Sequence, residues 1–134
     1  MSQFIPSRNQ LDGDLKFSSS DSGIVHEGSG TVTQDTSLTN AVILSATSGI
    51  ITLHAASLAA GAEAEMQVMN SNVKSDSLVL LTVQCPDTNT ANATLVAQVM
   101  TVANSSFKIR LSNPGAGATT TNAHKIHFLV INKS

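Results

Sequence analysis

Four histidines, His26, His54, His124 and His127, are the residues of this chain best suited to hold a metal or move a proton. Only two are close in sequence, as His124-x-x-His127. In a strand, residues three apart face opposite sides, whereas zinc needs several ligands converging from one side. The pair therefore reads as two polar positions of a terminal strand, and no metal site is expected. The stretch LDGDLKF (11–17) sets Asp12 and Asp14 around Gly13. A calcium loop needs more oxygen ligands and a Glu near its twelfth position. Asp21 alone follows, so Asp-Gly reads as a turn. Glu63 and Glu65 alternate with apolar residues and share the solvent side of one strand; two equivalent carboxylates do not divide into a catalytic acid and base. Serines are many, but no Gly-x-Ser-x-Gly elbow occurs. NPGAGATTTN (113–122) lacks the Lys and following helix of a phosphate loop. Cys85 is the single cysteine, which excludes an intramolecular disulfide. Within LVLLTVQC it reads as a small buried hydrophobe. No catalytic residue, cofactor site or metal site emerges, and the chain reads as a non-enzyme.

The elements that carry these residues are strands. From residue 31 onward short apolar runs rich in β-branched residues are separated by regular turn signals. Strands are expected near 31–34, 41–46, 49–54, 63–70, 77–85, 93–102, 106–112 and 124–131. Alternation sets Phe107, Ile109 and Leu111 inward against Lys108, Arg110 and Ser112. It does the same for Ile126, Phe128 and Val130, and for Ala64, Met66 and Val68. LVLLTV (78–83) has no polar side, so it is expected to be central or covered on both faces. ANSS (103–106) reads as a tight hairpin. Only HAASLAAGAEAEM (54–66) has helix-forming composition, and Gly61 limits it to a turn or two. Eight strands in about 104 residues fit an all-β, eight-stranded antiparallel β-sandwich with jelly-roll-like connections.

Residues 1–30 differ. Polar runs separate paired apolar residues, Phe4/Ile5, Leu15/Phe17 and Ile24/Val25, too sparse to fold alone. They are expected to form an extended N-terminal arm, with short strands at 15–17 and 24–26, ahead of a domain at 31–134. The arm carries net charge −2 and the body none. A neutral body has no basic patch for phosphates, so nucleic acid is not an expected partner. No apolar run reaches the ~18 residues that span a bilayer. No secretory leader is visible either, so neither membrane nor export is expected.

The whole 134-residue chain has no Tyr or Trp, and charged residues are only 12 %. That counts against glycan recognition, which commonly uses aromatic platforms. It counts less against protein partners, because strand pairing and flat aliphatic contacts need no aromatics.

The order of several short motifs resembles a β-sandwich module of tailed-phage virion proteins. They are Gly30-Thr-Val-Thr-Gln34, Thr39 to Val42, Gly49-Ile-Ile-Thr52, the Ala/Leu-rich turn 55–60, and Asn70-Ser71 ahead of Asp76. Ser106-Phe-x-Ile109, the loop after Asn113, and Phe128-x-Val-Ile131 complete the series. The resemblance spans about residues 29–133. It implies a structural virion role, as a head decoration (cement) protein or as a fibre or spike tip. A short arm ahead of one module, with no shaft, favours decoration. The protein is then expected on the outer capsid surface after synthesis in a host cytoplasm. It would bind the major capsid protein and bridge its subunits to stabilise the expanded head, as a homotrimer at three-fold positions. Phe4, Ile5, Leu15 and Phe17 are the arm's candidate capsid contacts. The alternative is a receptor-contacting or tip module of a tail or head fibre, reading a target through 113–122 and CPDTNTAN (85–92).

Overall fold

The computed structural model describes residues 19–20, 26–86 and 92–133. The arm residues Phe4, Ile5, Leu15 and Phe17, the strand expected at 15–17 and most of the loop 85–92 lie outside them. Of the strand expected at 24–26, only His26 is described, and it is not in a strand.

All eight strands of the body form: β1 (Ser29–Thr33), β2 (Val42–Ile43), β3 (Ser48–Thr52), β4 (Glu63–Met69), β5 (Leu78–Gln84), β6 (Val96–Ala103), β7 (Ser106–Ser112) and β8 (Lys125–Ile131). No helix forms among the described residues, so none is long and apolar enough to cross a membrane. The Ala-rich stretch after β3 is a loop. Leu58 anchors it by donating its N–H to Thr119 Oγ1 at 2.8 Å and accepting from Thr119 N–H at 2.9 Å.

The strands make two four-stranded sheets, ordered β1-β3-β8-β5 and β2-β4-β7-β6, which form a β-sandwich. The sheets are mixed rather than wholly antiparallel. β1 pairs with β3 and β2 with β4 in parallel, and the remaining pairs are antiparallel. A parallel pair needs a crossover. The chain supplies it by passing through the other sheet between β1 and β3, and again between β2 and β4. Every connection switches sheets except the β6–β7 hairpin, whose turn is Asn104–Ser105 with Ser105 at φ 67°. Alternation looks the same in parallel and antiparallel strands, so the sequence did not distinguish them.

The expected inward residues form the core. Ile109, Leu111, Ile126 and Val68 are wholly buried, and Phe107 meets Phe128 of the facing sheet edge-on with centroids 5.8 Å apart. Burying side chains of this size supplies about 1.5–3 kcal/mol each. Gly30 and Gly49, paired between β1 and β3, also face inward. A Cβ on Gly49 would stand 2.8 Å from Gly30 O and 2.9 Å from Phe128 Cε1, so the two glycines let these strands pack close to the core.

β5 departs from expectation. It lies at the edge of its sheet, and Leu78 and Leu80 on its outer side are 51 % and 48 % exposed. Cys85, just past its end, is exposed rather than buried. An apolar run with no polar side looks central in sequence; here one side is core and the other a bare surface.

Candidate docking face

The two outer faces of the sandwich differ in charge, and both expose aliphatic side chains. On the β2-β4-β7-β6 sheet, alternation points Glu63, Glu65, Lys108 and Arg110 outward. Arg110 Nη2 lies 2.6 Å from Glu65 Oε1, and its Nε lies 3.7 Å from Glu63 Oε2. The hydrogen bond from Arg110, aided by its charge, holds the Glu65 carboxyl below its ordinary range. These charges balance, and the expectation that Glu63 and Glu65 share a solvent side holds; Ile43, Met69 and Val96 are exposed on the same face.

The outer face of the β1-β3-β8-β5 sheet is built differently. β1 and β3 contribute hydroxyls and one branched aliphatic: Thr31, Thr33, Ser48, Thr52 and Ile50. β8 adds His127, Leu129 and Ile131, and β5 adds Leu78 and Leu80. Lys125 is the only charged residue among the outward positions of these four strands. The register gathers the aliphatics at one end. Leu78 pairs with Ile131 and Leu80 with Leu129, and the Leu80–Leu129 row continues through Ser48 to Ser29. Ile131 is 43 % exposed. A shallow groove of about 270 Å³ runs beside this corner, lined by Ser29, Thr31, Ser48, Ile50 and His127. Edge strands usually carry a charge, a proline or a bulge against unwanted pairing; β5 has none from Leu78 to Gln84.

The N-terminal segment joins the body at the same end of this face, on the opposite edge strand. His26 lies against the outer side of β3, with Nδ1 3.0 Å from Ser48 Oγ and Nε2 3.4 Å from Thr47 Oγ1. The charge-poor face and the root of the arm therefore share one side of the molecule.

The other histidines do not converge. His124 is buried at the start of β8, and its Nε2 has no hydrogen-bond partner; burial pushes its pKa down. His127 points outward and meets Gln84 Oε1 at 2.8 Å, so the two take opposite sides as strand geometry requires. His54 is half-buried in the loop after β3. Among the described residues no three His, Cys, Asp or Glu side chains lie close enough to share a metal ion. A cleft of about 260 Å³ beside Gln84, Cys85, Pro86, Ala123 and Lys125 gathers only one thiol and one amine.

Three buried amides hold the loops that frame the faces. Gln34 Nε2 donates to Asn40 O at 2.8 Å, and its Oε1 accepts from His54 N–H at 3.1 Å. Asn70 Nδ2 donates to Ala46 O at 2.6 Å. Asn113 Nδ2 donates to Leu58 O at 2.9 Å and Gly117 O at 2.8 Å, while its Oδ1 accepts from Gly115 and Thr94 N–H groups. All three belong to the motifs singled out in the sequence. Their spacing marked them, but their work is to satisfy buried backbone, which a binding-site search overlooks. The loop 113–122 is accordingly tied at its root, unlike an adaptable recognition loop.

Comparison with known protein families, with curated proteins and with solved structures finds no match to this chain.

Proposed function

We propose that this chain is a phage head decoration protein. It binds the outer capsid lattice through the charge-poor face of the β1-β3-β8-β5 sheet and the arm rooted there, and it bridges major capsid protein subunits. The observation that carries this reading is the contrast in charge between the two faces. One carries Glu63, Glu65, Lys108 and Arg110 beside exposed Ile43, Met69 and Val96. The other exposes Leu78, Leu80 and Ile131 beside hydroxyl-bearing strands with one lysine. A contact of that composition depends little on salt, because exposed charge pairs are what ionic strength screens. Many modest contacts repeated over a lattice hold by avidity, without any tight single site.

The sequence motifs add the virion context. The arm's Phe4, Ile5, Leu15 and Phe17 are the proposed second set of capsid contacts, and a homotrimer at three-fold positions is the proposed assembly. No step of this role calls for catalysis or a cofactor. The test is antibody–gold labelling of intact virions of the source phage. Label spread over the head is the expected result. Label confined to the tail or its fibres overturns the reading and makes the chain a tip module.

A further inference from the structure

We infer that β5 is a pairing edge and that a second copy of this chain occupies it, β5 against β5 about a two-fold axis at Leu81. Two hydrogen bonds between β3 and β8 fix which main-chain groups are open. Val130 N–H donates to Thr47 O at 2.7 Å, and Leu53 N–H donates to His124 O at 2.9 Å. In an antiparallel ladder the main-chain groups of successive residues turn to alternate sides. Residues 126, 128 and 130 of β8, like His124 just before it, therefore bond to β3, and 125, 127, 129 and 131 bond to β5. Their partners there are Gln84, Thr82, Leu80 and Leu78. The N–H and C=O groups of Val79, Leu81 and Val83 point off the edge of the sheet. Among the described residues nothing bonds to them. The other edges suit pairing less: β2 has two residues, β6 bulges between Val99 and Thr101, and β1 is shorter and contains Gly30.

The occupant follows from the symmetry of the strand. With Leu81 on the axis, it pairs with Leu81 of the second copy, and Val79 pairs with Val83. Three pairs at two bonds each satisfy every open group of both edges. Any other partner has to match that spacing, whereas a second copy carries it already, and a two-fold contact closes on itself. Nothing from Ser77 to Pro86 is charged, so no like charges meet. The two Lys125 side chains stand about 20 Å apart, six residues at ~3.3 Å each, beyond the screening length. Leu81 and Val83 pack on the rim of the core and are only half-buried; the second copy covers them. Two four-stranded sheets become one of eight, and Leu78 and Ile131 keep facing outward. The inference uses no capsid contact, so it stands or falls apart from the role proposed above.

The experiment uses the full-length chain carrying Cys85→Ser. In this register Leu80 stands opposite Thr82 of the second copy, with Cα atoms about 4.5 Å apart. Leu80 meets Leu80, and Thr82 meets Thr82, only on the diagonal at about 7–8 Å. A disulfide spans the first distance and not the second. Both positions are exposed, so Leu80→Cys and Thr82→Cys leave the fold intact. Under mild oxidation, an equimolar mixture of these two chains, one of them mass-tagged, is expected to form the mixed disulfide at least about tenfold faster than either chain alone forms its own. Equal rates, or no mixed disulfide, overturn the inference. A second measurement needs no thiol. Sedimentation at about 100 μM, where a contact this small is populated, is expected to show an even number of chains. Val83→Pro removes a donor that its own sheet does not use and is expected to halve that number. Monomers or odd-numbered assemblies of the native chain overturn the inference, as does a Val83→Pro chain that sediments like the native one.

Discussion

Single residues explain what the bland composition conceals. His124 is the one buried titratable side chain among the described residues, and its Nε2 is unpartnered. Burial disfavours the charged imidazolium, so the folded pKa lies below the ordinary 6.5. The unfolded chain then takes up its proton at higher pH than the folded one. Stability from this group is complete above about pH 6.5 and declines as pH falls below it. Melting temperature is expected to drop between about pH 7 and pH 5, and His124→Leu should flatten that slope; an unchanged slope would remove His124 as its cause. Gly49 illustrates steric demand. Gly49→Ala places a methyl against Gly30 O and Phe128. It should cost about 2–3 kcal/mol in denaturant unfolding, the scale of overpacking a filled core. Cys85, read in sequence as buried, is exposed. Ellman's reagent should therefore react with the native protein as fast as with the unfolded chain; protection in the native state would put the thiol back inside.

Elements were legible in the sequence where alternation had two distinct sides. β4, β7 and β8 came out with the right residues facing in, and the β6–β7 hairpin fell where Asn104–Ser105 marked it. What alternation does not encode is the neighbour across the sheet. The parallel β1–β3 and β2–β4 pairs and the edge position of β5 were therefore invisible, because a strand reads the same beside any partner. The misreading of LVLLTV is informative for the same reason. A strand apolar on both sides is normally covered on both, and β5 is covered by the core on one side only. The proposed docking face was legible only as that anomaly, and the arm's candidate contacts fall outside the described residues. The loops depend on amides. Asn113→Ala removes two donated and two accepted hydrogen bonds at a buried site and should cost about 2–4 kcal/mol, given ~1–3 kcal/mol for each buried group left unsatisfied. Asn113→Asp keeps the acceptor but not the donors and should recover only part of that loss. Full stability in Asn113→Ala would mean that water replaces the side chain.

At the scale of the whole molecule, the sandwich has one outer face with four charged residues and one with a single lysine. The single cysteine allows no disulfide within the chain, and the outward charges balance on one sheet. The proposed role rests on the charge-poor face and the segment rooted there. Binding by such a surface should vary little with ionic strength. Sedimentation with heads at about 50 mM and about 500 mM salt is expected to give the same bound fraction, since screening acts on exposed charges. Loss of binding at the higher salt would instead point to the acidic arm. The most direct test of the whole account compares two substitutions on opposite faces, titrated onto heads that lack the protein. Leu78 is about half exposed on the charge-poor face, and Gln98 is exposed on the charged one, so neither change should disturb the fold. Leu78→Asp is expected to weaken head binding about thirtyfold, the effect of losing an apolar contact of hot-spot rank, while Gln98→Asp binds as the native chain does. Equal binding by both variants, or loss confined to Gln98→Asp, would contradict docking through the β1-β3-β8-β5 face.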